Sequence, residues 1–233
     1  MTADYVSDIP GSAEERVIER YDSGAKREAR YLAGGEVVGV RLFHPDGRIE
    51  LESPRRAGVP NGTEYQWDDS GRLRSALPFV DGLEHGVSRQ WAPDGTPLGT
   101  YELRHGTGLD LWRGLRQDGS AYLAEARSVV SGQRHGFEWL IDQDQGSVHR
   151  ETRFAGGLEH GIRREWDAGK ALRDGHPRFY LLDREVDRDE YEHGRVHDPD
   201  LPPYVQDDDR PARRFPDLVA EHLAPPDRGG GPG

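Results

Sequence analysis

Gly82-Leu83-Glu84-His85-Gly86-Val87-Ser88-Arg89-Gln90-Trp91-Ala92-Pro93-Asp94-Gly95-Thr96-Pro97-Leu98 holds the whole architecture in miniature. Val87, Arg89 and Trp91 alternate with Ser88 and Gln90, the period-two pattern of a half-buried strand. Pro93-Asp94-Gly95 is turn chemistry, with a glycine free to take positive φ. A second strand follows with Leu98, Tyr101 and Leu103, so the stretch reads as one β-hairpin. The same offsets recur from Gly62 through Trp67 to Gly71, and from Gly161 through Trp166 to Gly169. The string Gly-Leu-Glu-His-Gly appears at both 82–86 and 157–161.

Working outward, turn glycines fall at Gly24, Gly47, Gly71, Gly95, Gly119, Gly146 and Gly169, in steps of 23, 24, 24, 24, 27 and 23. A second series, Gly39, Gly62, Gly86, Gly136 and Gly161, mostly follows an Asn or His (Asn61, His85, His135, His160). Self-similarity at a fixed period decides architecture before other arguments apply. The expected fold is all-β: an elongated single-sheet array of β-hairpin repeats with a period of about 24 residues. A short C-terminal strand-helix segment caps it. Hairpins stacked at strand spacing would advance about 10 Å each, for a rod of roughly 60–70 Å.

Two columns of side chains run down such an array. One holds Val40, Thr63, Val87, Phe137 and Ile162; the other holds Trp67, Trp91, Ile141 and Trp166, with Phe43 ahead of them. Cross-strand pairs of this kind stabilise a sheet by roughly 0.2–1 kcal/mol each. The pattern loosens near 101–119, where Leu115 takes the aromatic position and Trp112 sits early, and near 132–146. An irregular middle is either a tolerated insertion or a shaped binding site.

The segments divide as a lead-in at 1–16, repeats over 17–172, a cap over 173–197, and a Pro/Asp/Gly-rich tail over 198–233. In the cap, residues 177–186 read as a last strand pair. Asp187 and Glu190 match a capping box, opening a short helix through Tyr191. A helix of one or two turns is expected at 216–223, and a flexible tail from Gly229.

Composition narrows the function. With 30 glycines in 233 residues and a 33% apolar fraction, a thick core is excluded in favour of a thin stack. The net charge of −12 argues against nucleic acid and against anionic membranes, and suits a basic protein partner. The same charge also keeps an edge-rich sheet soluble. There is no cysteine, hence no disulfide or thiolate site, and no stretch is long and apolar enough to span a membrane. Residues 1–20 lack the apolar run of a signal peptide, which makes the cytoplasm the expected location. Lys26 and Lys170 are the only lysines among 31 basic residues, a bias typical of GC-rich bacterial genomes.

No enzyme, cofactor or metal centre is expected. The chain has no nucleophile elbow, phosphate loop or cysteine nucleophile. Repeat histidines spaced about 10 Å apart cannot converge on one metal, and a turn residue bonding its own backbone is the plainer role for them. His193 and His197 have one-turn spacing, but Gly194 between them weakens a helix there. Trp67, Trp91 and Trp166, with the turn glycines Gly47, Gly71, Gly95, Gly119, Gly146 and Gly169, read as the repeat's own framework. Tyr65, Arg89, Trp139 and Arg164 share the third position after the glycine, and with the off-column Trp112 they form the candidate binding strip. A Tyr/Trp/Arg mixture is the composition of a protein-recognition face.

The Gly-x-x-His/Asn-Gly opening, the aromatic strand and the Asp/Ser-Gly turn resemble the MORN repeat. They are closer still to its bacterial relatives of the YwqK antitoxin type, over about residues 17–172. Gly82 to Gly86 with Trp91 and Asp94-Gly95, and Gly157 to Gly161 with Trp166 and Gly169, carry the likeness. The tyrosine-glycine opening of the eukaryotic form is mostly absent, which weighs against lipid binding. The resemblance implies a non-enzymatic antitoxin or immunity-type protein that masks another protein, a basic toxin or effector. The alternative is a structural scaffold that self-assembles or lies on a membrane surface.

Overall fold

The structure, a computed structural model, describes residues 5–223. The tail from Gly229 lies outside the described residues. The fold is all-β, with hairpin following hairpin and every paired strand antiparallel to its partner. It divides into two compact units, the first ending at Gly106 and the second beginning at Thr107.

The first unit holds β1 (Glu14–Arg20), β2 (Lys26–Ala33), β3 (Glu36–Phe43), β4 (Ile49–Arg56), β5 (Val59–Pro60), β6 (Gly62–Trp67), β7 (Leu73–Val80), β8 (Leu83–Glu84), β9 (Gly86–Trp91) and β10 (Pro97–Arg104). β5 and β6 are one strand broken at Asn61, and both pair with β4; β8 and β9 are broken likewise at His85 and pair with β7. The second unit holds β11 (Thr107–Leu115), β12 (Ala121–Val130), β13 (Gln133–Ile141), β14 (Val148–Ala155), β15 (Leu158–Glu159), β16 (Gly161–Glu165), β17 (Arg178–Leu181) and β18 (Arg184–Val186). Two helices complete it, α1 (Arg188–His197) and α2 (Asp217–Ala220).

Two kinds of turn alternate along the chain. One is a two-residue turn with both residues at positive φ, as in Asp81-Gly82 (49° and 85°) and His105-Gly106 (47° and 67°). Its backbone twist matches that of the flanking strands. The other is a longer turn whose aspartate ties down the following amides: the Asp68 carboxylate accepts from the N–H groups of Ser70 and Arg72, both at 3.0 Å. Its left-handed residue is Gly24, Gly47, Gly71, Gly95 and Gly119 in succession, then Gln145 and Lys170. The sequence assigned these last two places to Gly146 and Gly169. Gln145 holds the left-handed position because its side chain clasps the Leu123 N–H and C=O at 3.0 Å each, and Lys170 because its ammonium bonds Asp144.

Counting back four residues from each left-handed turn position from Gly47 onward gives Phe43, Trp67, Trp91, Leu115, Ile141 and Trp166, the framework column. Trp91 and Trp166 are buried, and Trp67 packs against buried Tyr65, Leu73, Ala76 and Trp91. Val40 does not belong with Thr63, as the glycine spacing suggested. It pairs with Ser53, whereas Thr63 pairs with Pro78 in the row of Pro54 and Gly39, so Val40 faces the other side. Val87 is exposed rather than core.

The His/Asn series joins successive repeats. Asn61 accepts from the Asp81 N–H, His85 from His105, His135 from Gly156 and His160 from Leu182, over 3.0–3.4 Å. In each case the next amide also donates backward, Gly82 to Pro60, Gly106 to Glu84, Gly157 to Arg134 and Asp183 to Glu159. These side chains therefore bond the following turn, not their own backbone as expected.

In the cap, Asp187 accepts from the Glu190 N–H at 2.8 Å, while the Glu190 carboxylate turns to Arg184. α1 runs past Tyr191 and through Gly194. Leu181 and Leu201 crowd that glycine, so the missing side chain is a packing requirement rather than a break.

Candidate functional site

Six residues before each left-handed turn position from Gly47 onward stand Arg41, Tyr65, Arg89, Arg113, Trp139 and Arg164. This is the strip the sequence singled out, with two changes: Arg41 joins it, and Arg113, not Trp112, belongs to it. Trp112 pairs with Glu125 on the opposite side of β11 from Leu111, which is in the row of Ala126 and Trp139. Within the first unit the strip continues through cross-strand partners, Ala29–Arg41–Glu52–Tyr65–Ala76–Arg89–Thr100.

The first and the last of the described segments lie on this face, one in each unit. In the first, Tyr5 meets Tyr65 and Trp67 edge-on at 5.0 and 5.1 Å. The Asp8 carboxylate accepts from the Thr63 N–H at 2.8 Å, and Ile9 is buried with Ala29, Tyr31 and Phe43. A Cβ at Gly39 would overlap Ile9, so this glycine makes the seat for the strap. Beneath it, Glu52 is fully buried and accepts from the Tyr5 hydroxyl at 2.9 Å and from Arg41 at 2.7 Å. Burial and the Glu52 carboxylate together push the Tyr5 phenol up.

In the second unit, residues 201–223 play the same part. Asp209 accepts from Arg164 Nε at 2.9 Å and its carbonyl from Trp166 Nε1 at 2.8 Å. Phe215 meets Trp139 edge-on at 5.3 Å, Val219 is fully buried, and Arg113 reaches the His222 carbonyl. Ala212 bridges to Ser147, adding a fragment of strand. The buried carboxylate here is Glu151, which accepts from Trp139 at 2.7 Å and from Arg164 and Arg213 at 2.9 Å each. Burial alone would raise its pKa, but the Arg213 and Arg164 charges and the Trp139 bond hold it below the usual carboxylate range.

Tyr65, Trp139 and Arg164 are therefore buried, against the expectation of an open strip, and Arg89 is its one exposed member. The sequence could not place the straps. Tyr5, Ile9, Arg213 and Phe215 follow no period, and only the Pro- and Asp-rich composition set their segment apart.

The other face of each unit is open. In the first unit it forms a trough of about 540 Å³, floored by Val37, Val40, Leu42 and Leu51 and rimmed by Arg30, Arg55 and Glu64. In the second it carries a lattice of charge. Arg127 reaches Asp110 at 2.9 Å and Glu125 at 3.5 Å, while Glu138 takes Arg134 at 3.1 Å and Arg150 at 3.5 Å. Half-buried Trp112 stands beside Glu125, whose carboxyl is pushed up by burial. An apolar floor with charged rims, and a half-buried aromatic among charges, suit a protein surface better than a small-molecule site.

Among the described residues no group of three or more His, Cys, Asp or Glu is placed to hold a metal ion. No helix among them is long and apolar enough to cross a membrane. No protein-family model matches the chain, and a search of curated proteins finds no significant match.

Proposed function

We propose that the chain is a non-enzymatic protein-binding repeat module of the antitoxin or immunity type, which acts by masking the surface of a partner protein. The observation that carries the reading is the trough of the first unit, an apolar floor left open while the aromatic face behind it is closed by the N-terminal segment. The repeat motifs, which resemble those of YwqK-type antitoxins, give the class. The net charge of −12 favours a basic partner, and disfavours nucleic acid and anionic membrane. A self-assembling scaffold is the rival. Edge strand β1, Glu-Glu-Arg-Val-Ile-Glu-Arg, weighs against it because charges on an edge oppose edge-to-edge pairing.

Affinity capture from the native cells tests the reading, using the tagged chain beside a Leu42→Glu, Leu51→Glu variant whose fold is checked by circular dichroism. One stoichiometric partner that the variant loses is the expected result. Recovery of the chain alone as a defined oligomer would overturn the masking role in favour of the scaffold.

A further inference from the structure

Beneath the C-terminal strap of the second unit lies a second cavity, of about 260 Å³, whose lining includes four arginines: Arg153, Arg164, Arg213 and Arg214. Four arginines lining one small cavity stand out in a chain with 43 acidic and 31 basic residues. Two of the four are accounted for. Arg164 and Arg213 neutralise Glu151, and Arg164 also bonds Asp209.

The other two are not. Among the described residues neither Arg153 nor Arg214 makes an ion pair. Arg153 lies on β14, on the same side as Glu151, beneath the strap, with its stem against Gly161. Pro202, Pro203 and Pro216 line the cavity, and proline has no N–H to offer. The only other carboxylate on the wall is Asp208. The wall therefore carries four positive charges against two negative ones, with Asp209 adding a third carboxylate on Arg164 from outside it. Arg153, partly buried without a counter-ion, carries a desolvation cost, Arg214 is exposed, and a guanidinium fork matches the oxygen spacing of a phosphate.

The geometry points to an oxyanion-binding site beneath the C-terminal strap, with Arg153 and Arg214 as its binding groups and a phosphate-type anion as its ligand. Arg164 and Arg213 set the positive field but stay committed to Glu151. The cavity has room for more than a bare phosphate, so the anion is either free or carried as a small phosphomonoester.

Calorimetric titration of the full chain with inorganic phosphate, and separately with phenyl phosphate, at constant ionic strength made up with chloride, tests this. Saturable one-to-one binding is expected, weakened at least tenfold in Arg214→Gln and further in Arg153→Gln/Arg214→Gln. Arg214 is exposed, so its replacement leaves the fold and the melting temperature without phosphate unchanged. Tighter binding of phenyl phosphate would make the ligand a phosphomonoester; equal binding would make it the free anion. No saturable binding of either probe, or binding that Arg214→Gln and the double variant leave intact, overturns the site.

Discussion

At the scale of single residues, the histidines of the repeat show how a residue type can be read correctly as a motif and wrongly as chemistry. His85 Nδ1 accepts a hydrogen bond from the His105 amide at 3.0 Å, and the rings of the two histidines lie 4.2 Å apart. Asn61 makes the equivalent bond one repeat earlier with its side-chain oxygen. What the position needs is therefore an acceptor on a short side chain, which is why His and Asn both serve. His85→Asn should leave stability nearly unchanged, while His85→Leu should cost about 1 kcal/mol by stranding a turn N–H. Urea denaturation of the two variants checks this, and equal losses in both would refute the acceptor role. Position, not identity, is also what went astray with Trp112. Counting back from the left-handed turn residue assigns Arg113 to the column, but counting forward from the preceding glycine does not.

At the scale of elements, the terminal straps are where sequence and structure part. Hairpins were legible because Asp-Gly turns and alternating strands repeat at a fixed interval. Tyr5 and Ile9 were not, since a lone apolar residue in a lead-in carries no sign of what it will cover. The effect is large. Ile9→Ala should cost about 2–3 kcal/mol, the range for removing a buried aliphatic side chain. Ile18→Ala, on exposed edge strand β1, should stay within about 0.5 kcal/mol. Thermal melts of the pair measure the difference, and matching melting temperatures would show that the N-terminal segment is not docked in solution. The left-handed positions at Gln145 and Lys170 were hidden for a related reason: glycine is the usual signal there, and the glycines at 146 and 169 sit one residue away.

At the scale of the whole molecule, the carboxylates set the response to acid. Hydrogen bonds and ion pairs hold Glu15, Asp68, Asp94, Asp118, Glu165 and Asp198 below their ordinary values. Glu151 joins them, and the Lys170 and turn-amide bonds bring Asp144 to about 2. A depressed folded-state pKa contributes stability that is complete above the unfolded value and is lost as pH falls through the folded one. Glu125 runs the other way, since its raised pKa favours the protonated form and relieves the fold slightly on acidification. Eight carboxylates against one, with partly buried His222 held below its ordinary value and so losing stability first, predict a plateau above about pH 7 and a steeper decline from about pH 4 towards pH 2. Denaturant midpoints measured between pH 7 and pH 2.5 test it, and a flat profile would contradict the carboxylate assignments.

The backward-facing bonds of the two-residue turns give the chain a direction. Asp81 and Gly82 donate to Asn61 and Pro60, and His105 and Gly106 to His85 and Glu84. In every case the acceptor precedes the donor along the polypeptide. A hairpin leaving the ribosome thus meets a finished neighbour with its acceptors already presented. For these turn bonds, removing the earlier hairpin strands amide donors in the next turn, whereas removing the later one leaves only carbonyls and side-chain acceptors that water can satisfy. Synthesis order and the order of these turn bonds coincide, and the strap of the second unit runs against them, since Arg164 and Trp166 donate to Asp209, which is made later.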